Sequence, residues 1–180
     1  MKKAALASLL FAFAPALIAQ VREMPSVTAN PIATTVRQME QRFAKNLTGA
    51  ADEMPADKYN YRPTPDQITF AHLIMHSAEA NNSYCAAISA EQAPAVKLSE
   101  NDSKDVLAKA LKDSFAYCEQ VLAKADDSNL SQTVTIHEGQ TATRGGALVR
   151  LVAAWSDHYS AAAMYLRLNN LLPPSAAKLK

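Results

Sequence analysis

The chain has 180 residues, 18 lysines and arginines against 17 acidic residues and a formal charge of +1, so its surface carries no broad positive field for nucleic acid or anionic lipid. Only 4 glycines stand beside a high alanine content, which favours helices over strands. The length fits one domain with a real core.

The first segment is an address rather than a fold element. Met1-Lys2-Lys3 is a short cationic head, and the run from Ala4 to Ala19 is apolar except at Ser8, with Pro15 inside it. That pattern is a cleavable secretory signal over residues 1–20; a membrane span needs about 20 apolar residues. An uncleaved anchor helix is the competing reading, and no cysteine follows the run to anchor a lipid. Losing Lys2 and Lys3, and no acidic residue, takes the mature chain from +1 to −1. The expected location is periplasmic or secreted, with no stable membrane span after cleavage.

A linker over 21–29 precedes the domain, expected at 30–175 and followed by a tail at 176–180. Asn30-Pro31 reads as an N-cap and a proline at the first helical position, opening a helix to about Ala51. Ile32, Val36, Met39, Phe43 and Leu47 recur along it at helical spacing. Thr64-Pro65-Asp66-Gln67 supplies the signals for a second helix running to about Ile88. Its inward stripe reads as Leu73, His76, Ala80, Ser83 and Ala87. Ser103 caps a third helix ending near Ala125, with Leu107, Leu111, Phe115, Cys118 and Leu122 as its buried stripe. Residues 126–143 form the longest irregular stretch, with a short strand at Thr133–Ile136 and a turn at Gly139. The fourth helix starts near Arg144 to Ala147 and reaches about Asn170, with Leu148, Leu151, Trp155, His158, Ala162 and Leu166 inward. These elements make an all-α four-helix bundle with one long connection.

Two chemistries stand out. Cys85 and Cys118 are either a disulfide closing a loop of about 33 residues or two buried thiols, and export favours the disulfide. His76 and His158, on facing inward stripes, are placed to share one divalent cation, since bundle cores build metal sites from facing helices. His72 lies one turn before His76 and is the candidate third ligand. Glu79 and Asp157 are candidate orienting carboxylates, and His137 reads as a solvated loop residue. No phosphate loop, nucleophile elbow or CxxC pair is present in the sequence.

Tyr59-Asn60-Tyr61-Arg62-Pro63-Thr64-Pro65, Thr69-Phe70 through His76-Ser77-Ala78-Glu79, Asp157-His158-Tyr159, Tyr165 to Asn169 and Pro173-Pro174-Ser175 resemble DinB-like proteins. Cys85 and the stretch Ser114 to Cys118 are similar to an exported branch of that family. The resemblance implies a four-helix bundle with a long crossover, often dimeric, so a homodimer is expected. It also implies a divalent transition metal such as Zn or Ni, held by one histidine on the second helix and an H-x-x-x-H pair on the fourth. His76 and His158 match two of these ligands, whereas Ala154 stands where the third would fall. Better-known relatives are thiol transferases and hydrolase-like enzymes. Two functional readings follow: a metal-dependent protein acting on an unknown small molecule, or a non-enzymatic envelope bundle that has lost its metal site.

Overall fold

The computed structural model describes residues 29–136 and 139–176. The expected signal peptide at 1–20, most of the 21–29 linker, His137 and the last four residues lie outside them. Four long helices run as α1 (Pro31–Glu53), α2 (Phe70–Ser89), α3 (Lys104–Lys124) and α4 (Arg144–Leu168), with a 3-10 turn at Ala56–Lys58. Strands β1 (Thr133–Thr135) and β2 (Thr141–Thr143) pair antiparallel, Val134 opposite Ala142, within the long α3–α4 connection. Gly139 closes that hairpin at φ 73°, a left-handed conformation that suits glycine. Each of α1 and α2 packs on both α3 and α4. No helix of the described residues is long and apolar enough to cross a membrane.

The helix starts show how local chemistry fixes the elements. Ser103 and Thr143 accept backbone N–H groups of Val106 and Gly146, closing the first turns of α3 and α4. Asn30 occupies the N-cap position of α1 but makes no side-chain cap bond to its own helix. The Asp127 carboxylate accepts from Ile32 N and Ala33 N at 2.9 and 2.8 Å, while Asn30 Oδ1 accepts from Asp127 N at 3.1 Å. The α3–α4 connection therefore caps α1 across the bundle.

The start of α2 corrects the sequence expectation. Thr64 to Gln67 forms a turn, with Gln67 N bonded to Thr64 O, and the helix begins only at Phe70. Phe70 N and Ala71 N donate to the carbonyls of Tyr61 and Tyr59, and Thr69 Oγ1 accepts from His72 N at 3.0 Å. The tyrosine-rich connection thus folds back over the helix start, held by the Tyr59 hydroxyl on Ala51 O at 2.7 Å.

The core centres on Trp155, Phe43, Phe115 and Phe70, layered with leucines from every helix. The Trp155 ring lies 6.3 Å from Phe43 and 5.9 Å from Phe115. The expected stripes of α3 and α4 are buried throughout. On α1 the stripe holds at Val36, Phe43 and Leu47, while Ile32 is exposed. On α2 the expected stripe is rotated: the buried face carries Phe70, Leu73, Ile74, Ser77, Asn81, Cys85 and Ile88, and His76 is exposed. Cys85 and Cys118 form a disulfide between α2 and α3 with their Cα atoms 5.4 Å apart.

One buried charge lies away from any expected site. Glu40 of α1 is buried, and its carboxyl is pushed up to about 7 by burial first and by the Glu119 carboxylate second. A raised folded-state value means that this group favours the folded protein most at low pH, an advantage lost as pH rises from about 4.5 through about 7. Denaturant titrations of wild type and Glu40→Gln should agree within error at pH 4.5. At pH 8 the variant should be more stable by on the order of 2–3 kcal/mol. Equal stabilities at pH 8 would contradict this assignment.

Candidate functional site

The three candidate histidines gather between the first half of α2 and the second half of α4. His158, 7% exposed, reaches out of the α4 core stripe toward α2. The His76 ring, nearly two turns past the start of α2, meets it edge-on with ring centroids 5.0 Å apart. His72 stacks beside His76 with centroids 6.4 Å apart. The spacing follows from helix geometry: residues four apart lie one above the other on one face. His76 therefore faces the site from the solvent edge rather than from the interior, and His158 supplies the buried side.

Burial is the main cause that pushes His158 down to about 4; the neighbouring His76 adds to it and the Asp157 carboxylate opposes it. His158 is therefore a neutral imidazole at physiological pH, the form in which nitrogen can ligate a metal. His72 Nδ1 sits 3.1 Å from Glu100 Oε2. A carboxylate accepts, so Nδ1 carries the proton of this bond. Glu100, in the α2–α3 loop, was not anticipated from the sequence; it is the carboxylate that bonds His72, where the expected candidates were Glu79 and Asp157. Glu79 and Asp157 are exposed on their helices.

The donors fit a divalent ion in part. Two imidazoles on one ion with a metal–nitrogen distance of about 2.1 Å have ring centres about 5 Å apart, matching the His76–His158 pair. The separation of His72 from His76 is more than 1 Å longer, and Ala154 offers no donor. Among the described residues no group of three His, Cys, Asp or Glu side chains stands ready to hold a metal ion.

A second polar cluster, also unanticipated, lies in the middle of the bundle. Trp155 Nε1 donates to Asn81 Oδ1 at 2.7 Å, Asn81 Nδ2 donates to Ser114 Oγ at 3.0 Å, and Ser114 Oγ donates to Leu111 O at 2.8 Å. Asn81 thereby joins α2, α3 and α4 next to the disulfide. Trp155 Nε1, Asn81 Nδ2 and Ser114 Oγ each have an acceptor, so these three bonds form a structural network rather than a reactive one.

A four-helix bundle with a long α3–α4 connection and histidines converging from its second and fourth helices defines a class of domain. The chain belongs to the DinB superfamily, whose family model matches residues 39–159. Solved structures share the fold at low identity. A DinB-like protein from Bacillus cereus superposes with a TM-score of 0.65 at 12% identity, over 78% of this chain and 95% of that one. A DinB-like protein from Bacillus subtilis gives 0.60 at 16%, over 76% and 92%. A mycothiol-dependent maleylpyruvate isomerase gives 0.57 at 14%, over 71% of this chain and 59% of that one. No curated protein matches the chain in sequence.

Proposed function

We propose that the chain is an exported DinB-superfamily protein that binds a divalent transition metal ion, Zn or Ni, at His76 and His158, with His72 recruited as third ligand. The observation that carries this is the 5.0 Å approach of two imidazoles from different helices, one of them held neutral by burial. Glu100 holds the His72 ring by its Nδ1 proton, the arrangement that ligating histidines ordinarily have. An ion held so, with a position open, would lower the pKa of a bound water. The substrate is an unidentified small molecule, and the near-zero net charge disfavours nucleic acid. Export, which the Cys85–Cys118 bond supports, places the protein outside the membrane-enclosed pool of cytosolic thiols. For that reason the thiol-dependent isomerisation named for one structural neighbour is not extended to this chain. We further propose a homodimer and a periplasmic or secreted location.

Elemental analysis of protein purified without a histidine tag is the test. About one equivalent of Zn or Ni should bind, and at about 100 times its Kd the ion should stabilise the fold by about 2.7 kcal/mol. His158→Ala should abolish both effects. Less than about a tenth of an equivalent, with no restoration on adding either metal, would remove this reading. Ala154 and the displaced His72 favour the second reading, a non-enzymatic envelope bundle. It predicts thermal melting indifferent to added metal.

A further inference from the structure

After α4 the chain turns back along α1. Ala176 N donates to Pro173 O at 2.8 Å, and Ser175 N donates to the Tyr159 hydroxyl at 2.9 Å. Gly49 gives this segment its seat, because a Cβ there would lie 2.9 Å from Pro174 Cγ. Between the segment and the outer face of α1 runs an open groove of about 460 Å³, lined by Gln38, Gln41, Arg42, Lys45, Asn46 and Ser175. It is separate from the histidines: His158 turns toward His76 of α2, whereas Tyr159, the next residue, turns toward Phe43 of α1.

Asn46 is the odd residue in this lining. It is only 5% exposed, yet its side chain has no hydrogen-bond partner among the described residues. Its amide is reachable all the same. Among the described residues, the partnerless buried polar atoms closed to solvent are Asn82 Oδ1, Tyr117 Oη and Arg144 Nε. Neither amide atom of Asn46 is one of them, so both keep some surface, and it opens into the groove. A buried amide ordinarily has partners, and this one must take them from outside the fold.

Charge decides which group that is. Arg42 and Lys45 flank Asn46 on α1, and neither is ion-paired among the described residues. No carboxylate lines the groove. Glu40, two residues before Arg42, faces Glu119 of α3 instead. The next acidic residue along this face of α1 is Glu53, about 12 Å beyond Lys45 along the axis. On α4, Asp157 lies two residues before Tyr159, about 160° around that helix from the side that meets α1.

Two cations and an amide N–H around one groove match a dianionic phosphate, which such groups hold through charge-assisted bonds. The volume falls in the range of small-molecule sites, roughly 300–1,000 Å³, and leaves room beyond the phosphate itself. The Gln38 and Gln41 amides and the Ser175 hydroxyl suit hydroxyl groups there. We propose that this groove binds the phosphate monoester of a small polyol. Its phosphate oxygens accept from Arg42, Lys45 and Asn46 Nδ2, and its hydroxyls meet Gln38, Gln41 and Ser175. A monoester carries about −1.5 to −2 at pH 7. A phosphodiester, the form found in lipid headgroups, carries a single charge and is the weaker ligand.

Amide-resolved NMR titration of the purified chain with glycerol 3-phosphate, glycerol and dimethyl phosphate tests this. Glycerol 3-phosphate should saturate in the millimolar range. It should shift amides around residues 38–46 and 175 while leaving those around 72–76 in place. Glycerol, without charge, and dimethyl phosphate, a diester, should each bind at least about tenfold more weakly. Asn46→Ala removes the amide and no described bond, so the variant should fold and bind about three- to tenfold more weakly. Arg42→Gln, an exposed change, should cost at least about tenfold. The proposal is overturned by no glycerol 3-phosphate saturation below about 50 mM, by equal binding of either control compound, or by an unchanged affinity in either variant. Any of these would leave solvent as the partner of the Asn46 amide.

Discussion

Asn81→Leu should lower the free energy of unfolding by about 2–4 kcal/mol, far more than its size suggests. The leucine fills the space but strands Trp155 Nε1, whose only acceptor is Asn81 Oδ1, in the middle of the core. An orphaned buried donor costs about 1–3 kcal/mol. Ser114 loses its donor as well, although its hydroxyl keeps Leu111 O. Ser77→Ala is the contrast: that hydroxyl bonds only Leu73 O of its own helix, so the loss should stay below about 1 kcal/mol. Urea titrations of the two variants would decide it. A loss below 1 kcal/mol for Asn81→Leu would mean that the network contributes little.

Opening the Cys85–Cys118 bond should cost about 3–4 kcal/mol, because the bridge removes from the unfolded chain the freedom of a loop spanning 33 residues. For a domain of this size that corresponds to a fall in Tm of about 10 °C, measured with and without reductant. Replacing both cysteines by alanine should give at least the same loss, since it also leaves a void between α2 and α3. Two thiols open to alkylation in native, unreduced protein would refute the bond.

The helices that were read with the right face are the ones whose sequence offers a single apolar stripe. On α3 the positions between Leu107, Leu111, Phe115, Cys118 and Leu122 are largely charged or exposed, so the periodicity has one solution. The α4 stripe is anchored by Trp155 in the same way. The α2 sequence is alanine-rich and apolar around much of its circumference, and the helix packs on both α3 and α4. Periodicity then admits more than one face, and the face chosen was displaced by about one residue. Its core also carries Ser77 and Asn81, which look like surface residues until their partners on other helices are known. One signal was available: once Cys85 is placed in a disulfide, Asn81 and Ser77, four and eight residues earlier, must share its buried face.

The histidine pair was legible because it needed only the helix assignments and the inward position of His158. Its exposed side was not, since His76 was placed inward and sits at the rim. Glu100 was invisible to any local argument, being 28 residues from His72 and in an irregular loop. The late start of α2 has a similar origin. Pro65 and Gln67 form a valid local start signal, and the carbonyls of Tyr59 and Tyr61 override it through contacts that no short window contains.

The cap of α1 has a consequence for the order in which the molecule assembles. This helix has no side-chain cap of its own, no acidic residue in its first turn and no basic residue in its last. The groups that seal it come from Asp127, 94 and 95 residues further along the chain. A helix end whose backbone N–H groups lack partners frays, even when the helix is 23 residues long. The N-terminal turn of α1 therefore stays frayed until Asp127 has folded against it. The first turn of α1 thus closes only together with the α3–α4 connection.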